Sequence, residues 1–170
     1  DLDTAVDDAK HFAYSVTQFR NFYSNEIVPR ARESGLQITH AYRHLPKALP
    51  LPATFTLDFG EFLSSRNDGF GLALYSAYPF PWRSEKRQLD DFQQAALTHF
   101  ERQADQAFFR IEEIEGKSTL RYAIADRMLE GCVNCHNSYP GSPKTDWKVG
   151  DVRGVLEVQR RKSRVGRNPN

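Results

Sequence analysis

The N-terminal part of the chain repeats apolar residues at three- and four-residue intervals, which predicts one long helix over residues 3–33. Asp3 or Thr4 can cap its start, Pro29 would kink or end it, and Gly35 is a suitable stop. A helix of this length could be a dimer seam or one side of a bundle, and the pattern favours neither. The repeating positions are Val6, Ala9, Ala13, Val16, Phe19 with Arg20, Tyr23 and Ile27.

The next part of the chain mixes irregular, helical and extended patterns. Residues 36–54 contain three prolines and are predicted to be irregular, whereas phenylalanines at helical spacing predict a helix over 55–66. Alternation predicts a strand over 71–78, after a turn at 67–69. Two prolines predict an extended loop over 79–83.

The second half of the chain predicts another helix followed by a hairpin. Asp90 with Gln93 resembles a capping box, and an apolar stripe follows, so a helix is expected over 90–104. Residues 108–114 and 119–125 have the character of strands, with a glycine-containing turn between them, and predict a β-hairpin.

The last part of the chain predicts a short helical turn over 126–131, a loop over 137–150 and a final strand over 152–159. Taken in order, the elements predict an α+β chain with a small antiparallel sheet.

Residues 132–136 read Cys-Val-Asn-Cys-His, which is the C-x-x-C-H spacing of haem c attachment. The thiols of Cys132 and Cys135 could each form a thioether to one haem vinyl group, and His136 would then be the proximal iron ligand. The chain has two cysteines and both lie in this motif, so we expect one covalent haem c per chain.

Other interpretations of the cysteine pair fit the sequence less well. A thioredoxin-like dithiol sits at the strand-to-helix junction of a βαβ unit, and nothing after Tyr139 has a helical pattern. A zinc site needs four ligands, and no second Cys/His pair follows. A disulfide between Cys132 and Cys135 would close a small, strained ring.

Length and charge narrow the class of protein further. The 170 residues predict a single domain over 1–160, with a basic tail over 161–170 that we expect to be disordered or a linker. The net charge of +1 does not indicate nucleic-acid binding. Because haem c is attached outside the bacterial cytoplasm, we expect a periplasmic chain or the excised soluble domain of a membrane receptor.

Several blocks of this sequence resemble the PAS-like, c-type-haem sensor domain found outside the membrane in bacterial receptors. They occur in order over about residues 10–160, and the run over 146–154 is the most specific. The blocks are residues 50–54, 74–76 with 78–83, 120–123 with 125–128, 132–138 and 142–158. The resemblance implies a PAS-like sheet behind a long N-terminal helix. It also implies a sensory role, often with a membrane-anchored output module in a longer parent chain.

The sixth iron position is left open by the sequence. His40 is the preferred candidate for a distal ligand or pocket residue, because it lies in the proline-rich segment just before the block at 50–54. A vacant position would instead favour gas binding. Arg83, Lys144 and Lys148 are candidate partners for haem propionates, since both residue types bind carboxylates. The candidate aromatic walls are Tyr75, Tyr78, Phe80, Trp82, Tyr139 and Trp147.

Two functions remain open at this point. The first is a sensor of a diatomic gas (NO, CO or O2) or of redox state, acting as a homodimer through the N-terminal helix. The second is a periplasmic electron-transfer cytochrome. His40 with Arg43 could imitate the distal pair of a peroxidase, but the sequence does not place them over the iron, so we do not expect an enzyme.

Overall fold

The computed structural model describes residues 1–66, 69–84 and 88–162. Its helices are α1 (Leu2–Phe22), α2 (Val28–Glu33), α3 (Pro52–Ser65), α4 (Pro81–Ser84), α5 (Asp91–Arg102) and α6 (Glu130–Ser138). Its strands are β1 (Gln37–Ile38), β2 (Ala48–Leu49), β3 (Phe70–Tyr75), β4 (Phe108–Ile114), β5 (Lys117–Arg127) and β6 (Val152–Arg161). The predicted α+β class, with a long N-terminal helix and an antiparallel sheet, is confirmed.

Four strands form the main sheet in the order β3-β6-β5-β4, and every neighbouring pair is antiparallel. The predicted hairpin is present, with Glu115 and Gly116 both at positive φ in its turn. That backbone suits the right-handed twist of the two strands it joins. β1 and β2 form a separate two-residue parallel pair.

Two helices cover opposite faces of the main sheet. On one face, small residues of α1 such as Ala9 and Ala13 pack against Tyr122 and Leu156. On the other face, Phe92, Ala96 and Phe100 of α5 pack against Tyr75, Ala123 and Val155. The capping box of Asp90 with Gln93 begins α5, as the sequence predicted.

The N-terminal helix has no break in its helical backbone but changes its winding before Pro29. A π-helical segment, Tyr23–Ile27, joins α1 to α2, so Pro29 neither ends nor interrupts the predicted helix. Proline has no N–H to donate, and the wider turn before it accommodates that loss. Gly35 adopts φ +81° and closes the helix with hydrogen bonds from Gly35 and Leu36 back to the last turn.

The segment predicted to be irregular over 36–54 contains β1, β2 and the start of α3 at Pro52. Three further parts of the chain differ from the sequence prediction. The strand predicted over 71–78 ends at Tyr75, because the Ser76 hydroxyl bonds the Arg153 carbonyl oxygen and the Tyr78 N–H and turns the chain. The loop predicted over 79–83 contains α4, whose first residue is a proline, a favoured helix start.

The third difference concerns the cysteine motif. The turn predicted over 126–131 is wrong, because β5 continues to Arg127 by pairing with β6, and α6 then carries the motif as far as Ser138. Arg161, assigned to the tail, ends β6, while residues 163–170 and the Asn67-Asp68 part of the predicted turn lie outside the described residues. None of the described helices has the length and apolar character needed to cross a membrane.

Candidate functional site

Helix α6 presents the cysteine motif to a large cavity. Cys132, Cys135 and His136 stand at helical positions i, i+3 and i+4, so one face of the helix carries all three side chains. All three line a cavity of about 670 Å³. That volume lies within the roughly 300–1,000 Å³ of cofactor and small-molecule sites.

Much of the remaining cavity wall comes from two other parts of the fold. The long helix contributes residues around the π-helical segment, among them Arg20, Ser24 and Val28. The end of β3 and the chain that follows it contribute residues 74–80 with α4. The cavity therefore joins the motif to the N-terminal helix and to the edge of the sheet.

Aromatic rings surround His136 on the cavity side. The Phe80 ring lies 5.1 Å from the His136 ring and stacks on Trp82 at 4.6 Å, measured between ring centroids. Tyr139 contacts both Phe80 and Trp82 edge-on. The six aromatic residues predicted as walls all line this cavity: Tyr75, Tyr78, Phe80, Trp82, Tyr139 and Trp147.

A pair of hydrogen bonds fixes Trp147 beside the motif. The Trp147 N–H donates to Asn137 Oδ1 at 2.8 Å, and Asn137 Nδ2 donates to the Trp147 carbonyl oxygen at 2.9 Å. The Ser142 hydroxyl lies within hydrogen-bond distance of the backbone oxygens of His136 and Lys144. These bonds tie the C-terminal end of α6 to the loop that follows it.

The electrostatic environment keeps His136 neutral. Burial, reinforced by the positive charge of Arg153, lowers the pKa of His136 to about 4. A neutral imidazole is the form that binds a metal. Burial also raises the pKa of the Cys135 thiol, and the two cysteines are not joined by a disulfide. Two thiols and a neutral imidazole on one wall of an aromatic cavity fit the requirements of haem c.

A buried ionic cluster lies in the same cavity wall. Asp126 accepts hydrogen bonds from Arg20 and, at 2.5 Å, from Nε of Arg153. Burial by itself would raise the pKa of Asp126, but the two arginines outweigh it and hold that pKa below its usual range. The sequence prediction missed this cluster, although Arg20 occupies an apolar position of the α1 stripe and could have marked it.

Two residues predicted to contact the cofactor are not in the cavity wall, and their role stays a prediction. Lys144 pairs with Asp146 and lies over the rings of Trp147 and Tyr78, so it is not part of the cavity wall. Lys148 is exposed and is also not part of that wall. Arg83 does line the cavity.

His40 is exposed and stacks on Trp82 with a 4.3 Å centroid distance. It lines a second cavity of about 570 Å³ rather than the one that contains His136. The ring contacts run from His40 to Trp82, then to Phe80 and His136. Within the described part of the chain, His136 is the only histidine in the wall of the larger cavity. A distal role for His40 stays a prediction.

The described residues contain no group of three or more His, Cys, Asp or Glu side chains that could hold a metal ion together. The fold and the site thus define an α+β domain with a C-x-x-C-H helix facing an aromatic cavity.

The family profile named Tll0287-like matches residues 2–160. The chain therefore belongs to the Tll0287-like family. No match was found among curated proteins or among solved structures.

Proposed function

We propose that this protein is a haem c-binding sensor domain that responds to a diatomic gas or to the oxidation state of the iron. One observation carries the proposal: α6 presents Cys132, Cys135 and the neutral His136 to a single aromatic-lined cavity. Membership of the Tll0287-like family supports it.

Each residue of the site has a distinct task in this proposal. Cys132 and Cys135 would anchor the haem through thioethers, and His136 would hold the iron from one side. When bound, the haem supplies a one-electron centre that can also take a diatomic ligand. Phe80, Trp82 and their aromatic neighbours exclude water from the cavity and cover the apolar surface of the cofactor.

The position of the long helix favours sensing over simple electron transfer. Arg20, Ser24 and Val28 reach the cavity wall from a segment that includes a π-helical turn, a feature frequently found at functional sites. A change in the cavity would therefore act directly on the long N-terminal helix. A ligand shifts such an equilibrium only as far as its affinities for the two states differ.

We further propose that the domain works outside the cytoplasm, as a homodimer through α1 and in a longer membrane-anchored parent chain. Haem c attachment and the family resemblance support the location, and exposed aromatic residues on α1 support the dimer. We propose binding and signalling, not catalysis, as the role of this domain.

Haem attachment is tested by exporting the chain in a host with c-type haem maturation and measuring its intact mass. We expect a mass increase of one haem, a reduced absorption spectrum typical of haem c, and loss of both in the double variant Cys132→Ser/Cys135→Ser. The control is Asn134→Ala, which alters an exposed residue between the cysteines. A wild-type chain that keeps its unmodified mass would overturn the proposal.

Sensing is tested on the haem-loaded protein by adding NO or CO, or a reductant, and following both the spectrum and hydrogen exchange. We expect the spectrum to change and amide exchange to change within the π-helical segment, Tyr23–Ile27. Redox cycling with an unchanged exchange pattern, and no spectral response to either gas, would instead indicate an electron-transfer cytochrome.

A further inference from the structure

We propose that Arg20 and Arg153 form an anion-binding site in the wall of the large cavity, with Asp126 holding the two guanidinium groups in place. The ligand is an oxyanion or another small anion that lies inside the cavity. The inference deepens the proposed function, because a haem carries carboxylates of its own into this space.

The charge balance of the cavity is the first argument. Among the lining residues that the structure describes, five are arginines and Asp126 is the only carboxylate, although Arg127 also pairs with Asp105 outside the lining. The side chains of Arg20, Asp126 and Arg153 are 6%, 3% and 10% exposed. One carboxylate between two guanidinium groups leaves one positive charge uncompensated where water reaches it poorly, which is costly unless an anion joins it.

The hydrogen bonds of the cluster give a second, independent argument. Both oxygens of Asp126 are already used, Oδ1 by Arg20 and Oδ2 by Arg153. Arg20 Nη1 is buried and has no hydrogen-bond partner among the residues that the structure describes. A buried donor without a partner carries the full penalty of its lost hydration. An acceptor atom brought to this nitrogen would remove that penalty.

The geometry of Arg153 places this positive charge beside the cysteine motif. Arg153 Nη1 lies 3.4 Å from His136 Nε2. Guanidinium groups bind carboxylates and related oxyanions in a two-pronged manner. Lys144 does not line this cavity, so the buried arginines are better placed to receive an anion there than the lysine named from sequence.

The bound anion could come from two sources: a propionate of the covalently bound haem, or a free anion that enters the cavity. The test therefore has a haem-free arm and a haem-loaded arm. In both, Arg20→Gln is compared with Arg30→Gln, an exposed arginine that pairs with Glu26 and is not part of the cavity wall. Arg20→Lys serves as a second variant that keeps the positive charge beside Asp126.

In the haem-free arm, the thermal unfolding midpoint of Cys132→Ser/Cys135→Ser protein is measured in acetate and in chloride at equal ionic strength. Binding to the folded state alone raises the midpoint. We expect the unfolding midpoint to be higher in acetate than in chloride. Adding Arg30→Gln should leave this difference between the two salts unchanged, whereas adding Arg20→Gln should abolish it.

In the haem-loaded arm, the reduction potential and the azide affinity are measured. If a propionate is the ligand, Arg20→Gln lowers the potential by about 59 mV, a tenfold shift for one electron, and leaves azide affinity unchanged. If a free anion is the ligand, azide serves as the probe for it. Arg20→Gln then weakens azide binding at least about fivefold, since a charge-assisted hydrogen bond is lost.

In either case Arg20→Lys changes the measured quantity less than Arg20→Gln does, and Arg30→Gln matches the wild type. An Arg20→Gln variant that folds and matches Arg30→Gln in both arms overturns the anion site. A chain that never acquires haem overturns the proposed function instead, and the acetate arm then still decides whether the site exists.

Discussion

At the scale of single residues, Asp126 joins the N-terminal helix to the last strand. It is separated by 106 positions from Arg20 and by 27 from Arg153, so the cluster forms only when both elements are in place. Its depressed pKa makes it a source of stability at neutral pH. That contribution is fully present above the unfolded pKa of about 3.9 and is lost as the pH falls through the lower folded value.

We expect Asp126→Asn to reduce the free energy of unfolding at pH 7 by about 3–5 kcal/mol, because two buried arginines lose their carboxylate. The difference in the free energy of unfolding between variant and wild type should stay constant from pH 7 to about pH 5 and shrink below about pH 4. Urea unfolding across this range measures both effects. Asp146→Asn is the control, since it removes an exposed carboxylate, and a difference independent of pH would contradict the argument.

Asn137 supports a second residue-scale prediction, because its side chain both donates to and accepts from the backbone of Trp147. We expect Asn137→Ala to lower the free energy of unfolding by about 1–3 kcal/mol, the value of two net hydrogen bonds. The tryptophan fluorescence should also change, since Trp147 loses its fixed position beside His136. Asn134→Ala, on the exposed side of the same helix, should leave both readouts unchanged, and equal effects of the two variants would refute this role.

At the scale of elements, the contact between β3 and β6 depends on a missing side chain. A Cβ atom at Gly154 would lie 2.4 Å from the Tyr75 carbonyl oxygen, close to the bulge at Asp126 and Arg127. We expect Gly154→Ala to destabilise the fold by about 3 kcal/mol, because neither backbone can yield easily. Urea unfolding followed by circular dichroism measures this loss.

Gly71→Ala is the matched control for that prediction. It lies on β3, where a Cβ atom would meet Gln159 at an ordinary 3.5 Å. We expect its free energy of unfolding to change by less than about 1 kcal/mol, in either direction. Gly is a poor strand residue, and the new methyl group causes no clash. A Gly154→Ala variant as stable as Gly71→Ala would show that the two strands can separate locally without cost.

Elements with a long, regular pattern were predictable from the sequence, and elements defined by distant partners were not. The helical run to residue 33, α5 and the hairpin follow from periodicity and capping. The extension of β5 to Arg127 depends on pairing with β6, and the two-residue β1–β2 pair has too few residues to show alternation. The site divides in the same way. The thiol and imidazole ligands are local in sequence, whereas the Arg20 cluster forms only by folding.

At the scale of the whole molecule, α1 has two faces with different tasks. Its buried positions, Ala9, Ala13, Val16 and Arg20, share one side of the helix and pack toward the sheet and the cavity. Tyr14, Phe19 and Phe22 lie on the other side, by the helical period, and are each more than 60% exposed. Exposed apolar surface of this kind commonly marks an interaction site. A partner on that face would lie one helix away from the cavity.

We therefore expect the haem-loaded domain to dimerise through α1, and Phe19→Ser/Phe22→Ser to raise the dimer dissociation constant by at least about tenfold, equal to about 1.4 kcal/mol. Sedimentation velocity over a range of protein concentrations measures the shift. Phe62→Ser, which removes an exposed phenylalanine from α3, is the control and should leave the constant unchanged. Because Arg20 lies between Phe19 and Phe22 in the chain, a dimer on this face would couple the cavity to the partner through a single turn of helix. A wild type that stays monomeric at every concentration, or a control that weakens the dimer equally, would contradict this arrangement.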